Sequence, residues 1–251
     1  MIVTIKKEVK IQDVETWHIV APPKSPDKQW KNGRSAKELA RFATDPSFTE
    51  FIKKVLKDLG IKEQDFECEP EAETRFEKQK NESIDFGVSG PRNHDLLMIG
   101  KDCVIGLEAK VSEKFGNNTI KEEWEKAKTA NKKEKRIPGL IEFLTNGEIK
   151  DYSQTPDSIK GLQYQLLTAT AGTILEAKRR NKKEAIVLVL VFTNKVAKEK
   201  GYDANVEKNN NAFKNFEKKF FDKGKTTIQG IECKLYLPYH QPGLSPNRVY
   251  L

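Results

Sequence analysis

The chain has 251 residues, 37% hydrophobic and 33% charged, with 45 Lys+Arg against 37 Asp+Glu and a formal charge of +8. That length can bury a substantial core in one domain, and the basic excess favours a polyanionic partner such as nucleic acid through counterion release and steering. Three scattered cysteines (Cys68, Cys103 and Cys233) argue against a zinc cluster or a disulfide framework, and no apolar run is long enough to span a bilayer, so a cytoplasmic protein with no membrane partner is expected.

Residues 1–20 hold two short β-like runs, Ile2–Ile5 and Trp17–Val20, and Pro22–Gly33 reads as a loop. Ser35 with Glu38 three residues on has the form of a capping box and predicts a helix from Ala36 to about Ala43. A second helix is expected over Ser47–Leu59, burying Phe48, Phe51, Ile52, Val55 and Leu59 and stopping at Gly60. Phe66–Phe76 alternates, with Phe66, Cys68, Pro70, Ala72, Thr74 and Phe76 on one face and Glu67, Glu69, Glu71, Glu73 and Arg75 on the other. It predicts the first strand of the core sheet. Its acidic row is either a solvated edge or the source of one more carboxylate, Glu73 or Glu71, for the constellation that follows.

That constellation lies in a strand, turn and strand: His94–Ile99, then Gly100-Lys101-Asp102, then Cys103–Val111. On the second strand Cys103, Ile105, Leu107, Ala109 and Val111 share one face, and Val104, Gly106, Glu108 and Lys110 the other. A turn of two or four residues, such as Lys101-Asp102, puts Asp95 opposite Glu108, with Cβ atoms roughly 5 Å apart. An odd-length turn would put Asp95 opposite Leu107, on the wrong face. Two carboxylates that close repel unless a cation lies between them, and oxygen ligands suit Mg²⁺ or Mn²⁺. Lys110 points the same way as Glu108 and is placed to orient an attacking water. By the same alternation His94 faces away from the site, toward core or edge. The competing reading, a solvated surface hairpin, is disfavoured by the apolar flanks.

Beyond the hairpin, Thr119–Lys133 reads as a polar helix carrying Trp124, and Gly139–Leu144 begins an apolar stretch. Ser158–Arg180 predicts a long helix with Leu162, Leu166, Ala169 and Thr173 along one side and Gln163 and Gln165 in its first half. Ala185–Phe192 is apolar at every position, as in a strand covered on both faces. An amphipathic helix is expected around Phe213, Phe216, Phe220 and Phe221, then a last strand at Gly230–Leu237 and a Pro-rich tail. The order α-β-β-β-α-β predicts a three-layer α/β core.

Asp95 with Glu108-Ala109-Lys110 resembles the metal site of the PD-(D/E)XK nuclease superfamily, with the proline displaced to Pro91. The longer string Glu108–Gly116, followed by Trp124 and Tyr164-Gln165-Leu166-Leu167, is similar to an uncharacterised bacterial branch of nuclease-like domains; the similarity spans roughly residues 28–195. The resemblance implies a restriction-endonuclease-like core, a central mixed sheet flanked by helices, and hydrolysis of phosphodiester bonds in nucleic acid, DNA more than RNA. Asp95, Glu108 and the Ala109 carbonyl would hold Mg²⁺ (or Mn²⁺), which polarises the phosphoryl oxygen and acidifies water. Glu38 on the first helix is a further candidate ligand beside Glu73, although it equally suits the capping box. Lys110 would position the water, and Gln165, with Tyr164 second, would steady Lys110 or the water from the helix. Lys101, Lys114, Lys121 and the Lys178–Lys183 cluster, Arg179 included, are candidates for holding backbone phosphates, and cutting both strands of a duplex would favour a homodimer. Two rivals remain: an inactive nuclease-fold module that binds nucleic acid or assembles, and a metal enzyme acting on a small phosphorylated substrate.

Overall fold

The computed structural model describes residues 2–5, 9–76, 84–87, 90–111, 113–116, 118–130, 134–192 and 203–240. Their strands are β1 (Ile2–Ile5), β2 (Val9–Lys10), β3 (Glu67–Thr74), β4 (Arg92–Ile99), β5 (Cys103–Lys110), β6 (Glu184–Phe192), β7 (Lys225–Ile228), β8 (Ile231–Tyr236) and β9 (Tyr239–His240). They make one mixed sheet in the order β2-β1-β3-β4-β5-β6-β8-β7, with β9 also beside β6. β3, β4 and β5 run antiparallel in sequence, and β6 joins β5 in parallel. A parallel partner needs a crossover, which passes through α5 (Ile120–Ala130), α6 (Arg136–Leu144), α7 (Asp157–Lys160) and α8 (Tyr164–Arg179). α1 (Val14–Val20), α2 (Pro26–Gln29), α3 (Ser35–Ala43) and α4 (Ser47–Asp58) precede β3, and α9 (Asp203–Phe220) precedes β7.

The sheet separates two apolar layers, so the protein is α/β with helices on both faces. β6 shows why: Ala185, Val187, Val189 and Val191 face the layer of α6, α8 and α9, while Ile186, Leu188, Leu190 and Phe192 face that of α1, α3 and α4. β5 sends Cys103, Ile105, Leu107 and Ala109 into the α3–α4 layer, as its alternation predicts. The hairpin closes with Ile99 paired to Val104 and the Gly100 N–H donating to the Cys103 carbonyl at 2.9 Å. Its turn is thus the two residues Lys101 and Asp102.

Several boundaries differ from expectation. Trp17–Val20 is helical because Asp13 accepts from the Thr16 N–H and starts α1, which buries Trp17. Ser35 is the first residue of α3 and not its cap: its N–H and hydroxyl both donate to Glu113 at 3.2 Å. α8 begins at Tyr164, because the chain from Asp157 makes a separate single turn that ends at Gly161. Residues 131–133, residues 193–202 and the Pro-rich tail lie outside the described residues.

The largest departure is in β3 and β4. Phe66 and Cys68 face the α3–α4 layer, yet Ala72 and Phe76, of the same parity, pack in the α6–α8 layer. In β4, Leu96 and Met98 face α3–α4, whereas Arg92 and His94 reach α8. Both strands change face at one level, where the ladder passes from Pro70↔Leu96 to Ala72↔His94 and omits Glu71 and Asp95. Glu71 adopts a left-handed backbone with φ 49°, which costs a non-glycine residue about 1–2 kcal/mol. His94 therefore lies on the Glu108 side of the sheet, opposite to what simple alternation predicts. Fully buried, it fills the gap between Gly106 of β5 and Gly172 of α8, with Nε2 3.0 Å from Thr74 Oγ1.

Both glycines permit this close approach. A Cβ at Gly106 would collide with Thr173 Oγ1 and stand 3.0 Å from His94 Nδ1. Gly106→Ala is therefore expected to cost about 1–3 kcal/mol in urea denaturation, as overpacked cores do. Gly90→Ala, with open space at its Cβ, is the control and should stay within about 0.5 kcal/mol of the wild type.

Candidate functional site

Glu108 is 2% exposed on the α8 side of β5. One of its oxygens is ion-paired with Arg92, and the other accepts from Gln165 Nε2 at 2.8 Å. Arg92 in turn donates to Thr168 Oγ1 at 3.0 Å. Gln165 and Thr168 are three residues apart at the start of α8 and so share a face of that helix. The helix thus holds Glu108 directly through Gln165 and indirectly through Arg92.

Asp95 sits at the face change, and its carboxylate turns sideways to accept the Ala109 N–H at 2.8 Å, in place of a ladder bond. Because N–H and C=O of one residue leave a strand on the same side, the Ala109 carbonyl also faces β4. Burial, then the charge of Glu108, push Asp95 up to about 6, against the pull of Lys110, the Ala109 N–H and Arg92. Glu71 is pushed up to about 8 by burial and then by Asp95 and Glu108. Three carboxylates therefore interact at the level where the ladder is broken. Lys110 is 6% exposed, with Nζ over the Phe115 ring at 5.9 Å. Beyond it, Glu113 ties the start of α3 to the end of β5, accepting from Ser35 and from the Val111 N–H at 2.9 Å. Burial works to raise Glu113, but backbone N–H groups at Val111 and Ser35 outweigh it and hold it below the usual range.

Of the residues singled out by the sequence, Asp95, Glu108, Lys110 and Gln165 come together. Gln165 bonds Glu108. Glu71 takes the place proposed for Glu73, which is exposed and in register with Asn93. Glu38 lies in α3 and accepts from the Gly33 N–H and Arg41, both at 2.8 Å. Tyr164 has a buried hydroxyl without a hydrogen-bond partner among the described residues. Lys114 and Lys121 are exposed on the loop and helix after β5. Lys101 is at the far end of β5, roughly 17 Å along the strand from Glu108, where its carbonyl accepts from Lys182. Lys178 and Arg179 close the other end of α8, about 20 Å from Gln165, over Phe143 and on Glu176 respectively.

Arg92 carries a role that sequence reasoning missed. Its parity puts it on the face away from Glu108, and only the change at Asp95 brings it across. His94 is held well below its ordinary value by burial and by Arg92 and Arg180, so it is neutral. A surface groove of about 290 Å³ between α4 and residues 63–65 lies away from these groups.

An oxygen-only donor set in which Glu108 raises Asp95, and both raise Glu71, suits a hard divalent cation, which would restore the charge of Asp95 and Glu71. Among the described residues no three His, Cys, Asp or Glu side chains stand ready-made as a metal cage. The two oxygens of Glu108 are turned to Arg92 and Gln165.

The family model for a domain of unknown function, DUF6946, matches residues 10–239. The chain belongs to that family. No curated protein and no solved structure matches it. The DUF6946 match takes in every strand from β3 to β8 and all the residues grouped above. No helix among the described residues is long and apolar enough to cross a membrane.

The raised carboxylates give a pH signature. The folded chain keeps protons on Glu71 and Asp95 that the unfolded chain has already released, from the ordinary carboxylate range up to about pH 8. Stability without metal should thus fall as pH rises through that window. In chelator, the melting temperature is expected to decline across it, and Glu71→Gln to remove the upper part of the decline. A divalent cation taken up by the ionised carboxylates would raise the melting temperature more near pH 8 than near pH 6. A profile that Glu71→Gln leaves unchanged would refute this account.

Proposed function

We propose that the chain is a metal-dependent nuclease of PD-(D/E)XK type that hydrolyses phosphodiester bonds in nucleic acid. The observation that carries this reading is the convergence of Asp95 and Glu108, on strands joined by a two-residue turn, with Lys110 on the same face two residues on. The β3-β4-β5-β6 arrangement, with α8 crossing between β5 and β6, supports it at the level of the fold. Preference for DNA over RNA, and a homodimer for cutting duplexes, follow from the resemblance alone. The buried free cysteines suit a reducing, cytoplasmic setting.

Asp95, Glu108 and the Ala109 carbonyl would hold Mg²⁺ or Mn²⁺, with Glu71 as the additional carboxylate. When bound, the ion supplies Lewis acidity at the phosphodiester and makes water a better nucleophile. The chain's own residues do the rest. Gln165 keeps Glu108 oriented through its Oε2. Lys110, its Nζ over the Phe115 ring, offers a cation for the negative charge that grows on the phosphoryl oxygens. Lys114 and Lys121, exposed on the loop and helix that follow the Glu108-Ala109-Lys110 end of β5, are the candidates for neighbouring phosphates.

A second reading has a specific observation in its favour. Arg92 already neutralises Glu108, as expected of a nuclease fold that binds nucleic acid without cutting it.

Incubation with labelled single- and double-stranded DNA and RNA, in Mg²⁺, Mn²⁺ or chelator, separates the two. Cleavage that needs metal and falls roughly 10²–10³-fold in Lys110→Ala, with binding retained, is the expected outcome. Gln165→Ala should lose about 10–100-fold, as the loss of an orienting partner does. Binding without cleavage in every metal condition would establish the second reading.

A further inference from the structure

Next to Glu108 is a group of donors that the hydrolytic reading does not use. Arg92 and Arg136 are 8% and 6% exposed, and Arg136 opens α6. Arg92 Nε, Arg136 Nε and the Tyr164 hydroxyl are buried and have no hydrogen-bond partner among the described residues. Arg92 bonds Thr168, one turn after Tyr164 on the same face of α8, and Arg136 bonds the Gly90 carbonyl two residues before Arg92, so the three side chains meet at one corner of the fold. A buried donor left without a partner is costly, and a buried cation without one more so.

The charges do not balance internally. Arg92 has Glu108, but Arg136 makes no ion pair among the described residues. Its compensation is the Gly90 carbonyl at 2.9 Å and the Phe76 ring at 4.7 Å. Glu123 attracts it without contact and is itself bonded by Asn118 at 2.7 Å. Burial, together with the neighbouring Arg92, holds Arg136 below its ordinary value, although Tyr164 and Glu123 act in the opposite direction. Tyr164 is the first residue of α8, a 16-residue helix with no side-chain cap and no acid in its first turn. The positive end of that helix adds to the two guanidinium groups.

We propose that Arg92, Arg136 and Tyr164 form a binding site for a phosphate group beside Glu108. A guanidinium offers neighbouring N–H donors to phosphate oxygens, and the tyrosine hydroxyl supplies a donor from another direction. The bound anion satisfies the three orphaned donors and supplies the missing countercharge of Arg136. That this phosphate belongs to a nucleic acid rests on the nuclease reading; the anion site itself does not.

The test is calorimetric titration of the wild-type protein with inorganic phosphate in chelator at fixed ionic strength, with chloride as the control. Saturable binding is expected, weakened about tenfold or more in Arg136→Met and several-fold in Tyr164→Phe, which keeps the ring and its packing. Absence of saturable binding, or binding equal in wild type and Tyr164→Phe, overturns the site. Should Arg136→Met fail to fold, Arg136→Lys and Tyr164→Phe decide the matter, since both keep the bulk at their positions. A second arm compares a 5′-phosphorylated DNA oligonucleotide, the same oligonucleotide without that phosphate, and a nucleoside monophosphate. Tighter binding of the phosphorylated oligonucleotide, lost in Tyr164→Phe, supports a nucleic-acid source. Binding of the monophosphate alone keeps the anion site and assigns it to a small phosphorylated ligand, with the nuclease reading left to the cleavage assay. Metal-dependent cutting without phosphate binding keeps the nuclease and removes the anion site.

Discussion

At one level of the sheet the β3–β4 ladder loses a pair, and the side chains on either side of it exchange faces. The lost pair is Glu71 and Asp95. Had both strands stayed regular, Arg92 and His94 would point into the α3–α4 layer and Asp95 would hold a place on a pleated face. With the break, Asp95 lies edgewise against β5 and bonds the Ala109 N–H, Glu71 takes a left-handed backbone beside it, and Arg92 and His94 cross to α8. A non-glycine residue held at φ 49° next to two other acids is strain of the sort that folding retains only when surrounding packing over-determines it. The fully buried neighbours Leu96, Leu97 and Met98 on one strand and Cys68 on the other provide that packing.

The electrostatics follow from the same break. Three acids are gathered where burial already disfavours charge, so Asp95 and Glu71 are raised while Glu108 is kept next to Arg92. Arg92 thereby connects two groups of opposite need, the carboxylates that lack positive charge and the Arg136–Tyr164 donors that lack an acceptor. A divalent cation on one side and a phosphate on the other would satisfy both. Hydrolysis of a phosphodiester is one chemistry that brings such a pair together.

α8 is the element that converts a broken ladder into a site. Its first turn carries Tyr164 and Gln165, its next turn Thr168, and Gly172 lets it settle on His94 and β5. Gly106 is needed for the same contact from the strand side. The helix is therefore fixed against the sheet at several points along its length, so Gln165 is held at Glu108 by packing remote from it.

Much of this was legible beforehand. Alternation in Cys103–Val111 put Glu108 and Lys110 on one face, because side-chain direction in a regular strand depends only on parity, and made an even-length turn the condition for Asp95 to stand level with Glu108, a condition that the two residues Lys101 and Asp102 meet. The pairing of Gln165 with that strand came from resemblance, and its partner, Glu108, only from coordinates. Local pattern carried no trace of the face change at Glu71 and Asp95. A one-residue irregularity inverts the parity of everything beyond it without altering composition, which is why Glu73 seemed as good as Glu71 and Arg92 went unnoticed. The same holds for Ser35, which has a capping side chain by sequence but spends it on Glu113, 78 residues away. Residue order alone was enough to specify the α/β layering and the strand pair that carries the acids. Which charged groups meet there was settled by packing in three dimensions, because that depends on where a ladder breaks and on how closely two glycines let a helix approach the sheet.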